Sequence, residues 1–171
     1  MSIIFPTKAD VVAAITNQEV GIALTVATQL NQIKLMKHKY KQAMMQTAFA
    51  WAETSEAKRL KVGAVIARED NILSIGLNGT YKGLPNHCED EDGNTLPHVR
   101  HAEAAALDKL VRSTESAVGA TMYVTHSPCL LCAYRIFDAG IKAVVFSEFY
   151  RDKDGIDWLK DRGVVVEKLG V

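Results

Sequence analysis

Between Lys39 and Glu56 the apolar residues Met44, Ala48, Trp51 and Ala52 recur at steps of three and four, which predicts a helix with those side chains in the core. The period then changes to that of extended chain. Val62 to Ala67 and Ile72 to Leu77, parted by the turn Glu69-Asp70-Asn71, read as two strands of a hairpin. Asn78 to Arg100 carries Gly79, Gly83, Pro85, Gly93 and Pro97 with no periodicity, so it is expected to be a long loop of the functional kind. Beyond it the pattern alternates: helix Ala102 to Val111, strand Ala120 to Thr125, helix Cys129 to Asp138, strand Lys142 to Ser147, helix Ile156 to Asp161, strand Val164 to Lys168. Gly140 and Gly163 stand where helices stop. Helical crossovers are what parallel neighbours need, so the expectation is an α/β sandwich: a five-stranded mixed sheet with helices on both faces. Lys8 to His38 is rich in Ala, Val, Ile, Leu and Gln and predicts one or two helices broken near Gly21. This divides the chain into an N-terminal helical extension, residues 1–38, and a main domain, residues 39–171.

Composition narrows the function classes. At 171 residues, 48% apolar and 23% charged, the chain can build its own core. Lys plus Arg and Asp plus Glu are 20 each, so net charge gives no support to a nucleic-acid partner. The basic runs Lys34 to Lys41 and Lys58, Arg59, Lys61 are local, and the first reads as a solvated helix face. Met1 to Phe5 lacks the features of an export signal, and Asn17, Gln18 and Glu19 interrupt the longest apolar stretch, so neither export nor a membrane helix is expected. Three cysteines cannot form a closed disulfide set, which points to metal or redox chemistry in a reducing cytoplasm.

The candidate chemistry lies in His101-Ala102-Glu103 and Pro128-Cys129-Leu130-Leu131-Cys132, each at the start of a predicted helix. Cys129 and Cys132 are three apart, so their sulfurs share a side of the first turn, where free backbone amides favour thiolate. With His101 they supply three zinc ligands. A structural zinc takes four protein ligands, whereas a catalytic one leaves a place for water, so the count suggests an open Zn2+ site. Glu103, two residues from His101, is the candidate proton carrier. Two other readings stand beside this one: a thioredoxin-like redox pair, and a closed structural zinc completed by His126, Cys88, His87 or His98.

His-x-Glu followed by Pro-Cys-x-x-Cys is the signature of zinc deaminases of nucleobases. Over roughly Lys39 to Val166 the chain resembles the deoxycytidylate (dCMP) deaminase family, in particular its phage-type members. The resemblance is carried by Lys61 to Ile66, Gly76-Leu77-Asn78-Gly79, Val99 to Glu103, and Gly119 to Cys132 with its serine before Pro-Cys. It implies a three-layer cytidine-deaminase-like sandwich, zinc on His101, Cys129 and Cys132, and proton transfer by Glu103. It also implies a sugar contact from Asn78, backbone contacts to the cytosine edge at Ala102 and Ser127, and an aromatic contact from Tyr150. Arg59, Lys61 and Lys82 are the phosphate candidates. The implied activity is hydrolytic deamination of dCMP to dUMP for thymidylate synthesis, by a homo-oligomer, hexameric in the family, with dCTP and dTTP as effectors. Leu77 departs from the family's tyrosine in the element associated with those effectors. The helix Lys39 to Glu56 has no cysteine to help the loop hold a second zinc. Alternative activities are deamination of another cytosine nucleotide or nucleoside, or of a base in nucleic acid; the non-enzymatic alternative is a zinc-stabilised module.

Overall fold

The computed structural model describes residues 38–170, so the expected N-terminal extension falls, but for His38, outside the described residues. Helix α1 spans His38–Ala52, strands β1 and β2 span Gly63–Arg68 and Asn71–Leu77, and α2 spans Ala102–Leu110. Then come β3 Thr121–His126, α3 Leu130–Asp138, β4 Ala143–Glu148, α4 Asp154–Asp161 and β5 Val165–Lys168. The strand order is β2-β1-β3-β4-β5. β1 pairs antiparallel with β2 and β3, while β3, β4 and β5 run parallel, as the helical crossovers between them require.

Pleating sorts the strand residues into two cores. Ala64, Ile66, Met122, Val124, Val144 and Phe146 face α2, α3 and α4, meeting Ala102, Ala106, Ala133, Ile136, Ile156 and Leu159. Val65, Ala67, Tyr123 and Val145 face the other way, onto Met44, Met45 and Ala48 of α1. Strands buried on both faces read as continuous apolar runs, which is why β1 and β4 open without polar alternation. Three layers result.

The expected membership of α1's core face needs one correction. Met44, Ala48 and Ala52 are buried as expected, but Trp51 is 40% exposed, and Lys41 and Met45 complete the face instead. The helix also ends at Ala52, short of Glu56. Ser55 Oγ donates to the Asn78 carbonyl at 2.7 Å and draws the chain towards the end of β2. The long loop holds more order than its sequence suggests, with isolated bridges pairing Gly79 with Arg100 and Glu89 with Thr95.

Candidate zinc centre and active-site cleft

His101 and Cys129 are N-cap residues of α2 and α3, both extended at φ −70°, ψ 155° and φ −69°, ψ 167°. Cys129 therefore precedes the helix that it was expected to begin, and Cys132 lies in the first turn. Two contacts without room for a side chain bring the helix starts together. A Cβ on Gly76 of β2 would strike the Ala102 carbonyl oxygen and the Ala106 nitrogen of α2. One on Gly155 of α4 would strike the carbonyl oxygens of Pro128 and Cys129.

His101 Nδ1 lies 3.6 Å from Cys129 Sγ and 3.4 Å from Cys132 Sγ, and the three atoms all lie within 4.8 Å of one another. Zinc bonds of ~2.3 Å to sulfur and ~2.0 Å to nitrogen at tetrahedral angles give N···S edges of about 3.5 Å, so the donor set fits this ion. Among the described residues this is the only His, Cys, Asp or Glu group of three or more that could hold a metal. Among the described residues no fourth ligand joins it: His126, Cys88, His87 and His98 are not members, which disfavours the closed structural site. Both cysteines turn to His101, which disfavours the redox-pair reading.

Electrostatics support a metal-ready set. In the metal-free chain the Cys132 thiol, with help from His101, holds the Cys129 pKa down to about 4 despite desolvation. The same contact raises Cys132, so the pair retains one proton that a metal must displace. His101 is raised, chiefly by its contact with Cys129.

Glu103, in the first turn of α2, is 4% exposed, and burial lifts its carboxyl above the ordinary carboxylate range. It lines a cleft together with His101 and Cys129. His126, at the end of β3, borders the same cleft, and desolvation lowers its pKa below the ordinary imidazole value.

The other sequence candidates fall into two groups. Asn78, Ala102, Ser127, Tyr150 and Arg59 all line the cleft. Asn78 also clamps the wall, since Oδ1 accepts the Val62 N–H at 2.8 Å and Nδ2 donates to the Leu60 carbonyl at 2.7 Å. Ser127 joins the two strand ends: its N–H donates to the Glu148 carbonyl, and its Oγ accepts the Tyr150 N–H, each at 2.8 Å. Tyr150's hydroxyl accepts from Arg151 Nη2 at 2.8 Å. Lys61 does not border the cleft; its Nζ donates to the Glu53 carbonyl at 3.0 Å. Lys82 is exposed and likewise outside the lining. The sequence reading missed Glu89 and Thr95, which also line the cleft. Glu89 stands in the run Glu89-Asp90-Glu91-Asp92, whose plain reading is a solvated loop.

The family model described as "Cytidine and deoxycytidylate deaminase zinc-binding region" matches residues 38–148. The chain belongs to this family. Zn2+ is accordingly the cofactor that the three donors fit. A deoxycytidylate deaminase of Saccharomyces cerevisiae is 33% identical over 145 residues, covering 79% of this chain and 46% of that protein. The deoxycytidylate deaminase of Enterobacteria phage T4 is 30% identical, covering 72% of this chain and 86% of its own length. The chain thus spans about half the length of the yeast relative and most of the phage one. Among solved structures, the dCMP deaminase of cyanophage S-TIM5 in complex with dCMP and dUMP matches with TM-score 0.77 and 47% identity, covering 78% of this chain and 99% of that one. The cytidine-deaminase fold expected from the motifs is the fold observed.

Proposed function

We propose that this protein is a zinc-dependent dCMP deaminase that hydrolyses dCMP to dUMP and ammonia and so provides dUMP for thymidylate synthesis. One observation carries the reading: a three-ligand zinc site and a buried carboxyl share a cleft in a chain similar to a cyanophage enzyme crystallised with dCMP and dUMP. Zinc, when bound, supplies the Lewis acid that makes water nucleophilic near neutral pH. Glu103 takes one proton from the attacking water and gives it to ring N3, then takes the second from the new C4 hydroxyl and gives it to the amine, which leaves C4 as ammonia. Burial raises its pKa, which favours the protonated carboxyl that returns the proton. Backbone groups at Ala102 and Ser127 hold the cytosine edge, Asn78 meets the sugar, Tyr150 covers the nucleotide and Arg59 takes the phosphate. Lys61 was a second phosphate candidate, and its contact with Glu53 makes Arg59 the better one.

The wider assignment follows family membership. Residues 39–171 form the deaminase domain, preceded by an extension, and the protein works as a homo-oligomer in the cytoplasm, the host's if phage-encoded. Among the described residues no helix is long and apolar enough to cross a membrane. dCTP and dTTP are the candidate effectors, and the even charge balance argues against a nucleic-acid substrate. Ammonia release from deoxycytidine, CMP, dCMP and dCTP by the zinc-loaded protein tests the substrate. The expected order puts dCMP first by kcat/KM; failure on every compound would refute deaminase activity.

A further inference from the structure

Among the residues lining the cleft, Arg59 is the only lysine or arginine, and the long loop holds it at both ends. Glu89 Oε1 accepts the Arg59 backbone N–H at 3.2 Å and the Lys58 N–H at 3.1 Å, with Oε2 3.2 Å from the latter. At the other end, Arg59 Nη2 donates to Thr95 Oγ1 at 2.6 Å. Glu89 and Thr95 are themselves bridged across the loop, and Leu96 N–H donates to the Cys88 carbonyl at 2.9 Å beside them. One small two-stranded element therefore fixes the backbone and the tip of the same arginine.

An arginine on an open surface loses side-chain freedom when it grips an anion, and that entropy opposes binding. A guanidinium already held in place loses less. A carboxylate on two backbone N–H groups is also a charge-assisted contact, stronger than a neutral one. We infer that Glu89 is a positioning residue which, with Thr95, presets Arg59 to receive the single phosphate group of the substrate. The inference rests on the proposed nucleotide substrate and adds how the cleft prefers a nucleotide over a nucleoside.

The test compares dCMP with deoxycytidine, which lacks the phosphate. For the zinc-loaded full chain and for Glu89→Gln, Thr95→Val, Arg59→Gln and the Glu89→Gln/Arg59→Gln double variant, kcat/KM and calorimetric Kd are measured for both compounds. Zinc content and melting temperature confirm that each variant is folded. In Glu89→Gln the preference for dCMP falls about tenfold through KM, and Thr95→Val shifts it in the same direction. The double variant falls no further than Arg59→Gln alone, because Glu89 acts through Arg59. An unchanged preference in Glu89→Gln overturns the inference. So does an increased one, which would mark Glu89 as a repulsive charge, or losses that simply multiply in the double variant. A wild type that binds both compounds equally overturns it as well. A wild type that prefers dCMP in binding but releases no ammonia would instead refute the deaminase reading.

Discussion

Glu103 is only 4% exposed, and burial favours the neutral form of its carboxyl and raises its pKa. The folded pKa lies above the unfolded one, so between the two values the folded state binds more protons. Stability from this group is therefore present below the unfolded pKa and is lost as pH rises through the folded one. Glu103→Gln keeps the shape and removes the titration. Metal-free Glu103→Gln should gain stability relative to metal-free wild type as pH is raised from 5 to 7.5, in urea unfolding at each pH. A difference that did not grow with pH would mean that Glu103 is not buried as a titrating acid. The ligands and Glu103 were legible as residues because each requirement maps onto an adjacent or near-adjacent pair in sequence. Glu89 was not, because its partners Lys58 and Arg59 lie some thirty positions away, across a return of the chain that no local pattern announces.

At the scale of elements, apolar runs and glycine stops placed all nine described helices and strands to within a few residues. The largest error, the end of α1, has a tertiary cause in the bond from Ser55 to Asn78. The contact of α4 with the Pro128-Cys129 backbone at Gly155 was also invisible, since glycine there reads as a loop residue. It has a consequence for zinc. Gly155→Ala sets a methyl group against fixed backbone, and overpacking of this kind costs about 1–3 kcal/mol. The displaced segment carries Cys129, so zinc affinity should fall along with melting temperature, as chelator competition and thermal unfolding would report. Gly170→Ala, in open space, is the comparison and should change neither. A Gly155→Ala protein with full zinc affinity would show that the α4 contact does not position Cys129.

For the whole molecule, the sheet acts as a frame that brings two distant helix starts to one cleft. β1 and β3 are antiparallel neighbours, and β3 leads through Ser127 and Pro128 into α3, while α2 packs on β2 and β1 by way of Gly76. Two ligand clusters, 28 residues apart from His101 to Cys129, converge because of that topology. The general arrangement was legible from the alternating pattern, whereas the cleft walls were not, since they depend on how the loop folds back onto the segment after α1. The central claim is that His101, Cys129 and Cys132 hold zinc while Glu103 moves the protons of dCMP hydrolysis. Ammonia release from dCMP by Glu103→Ala, measured alongside zinc per chain, tests it most directly. The expected result is wild-type zinc content with turnover reduced by at least about a hundredfold; near wild-type turnover in the zinc-loaded variant would contradict the account.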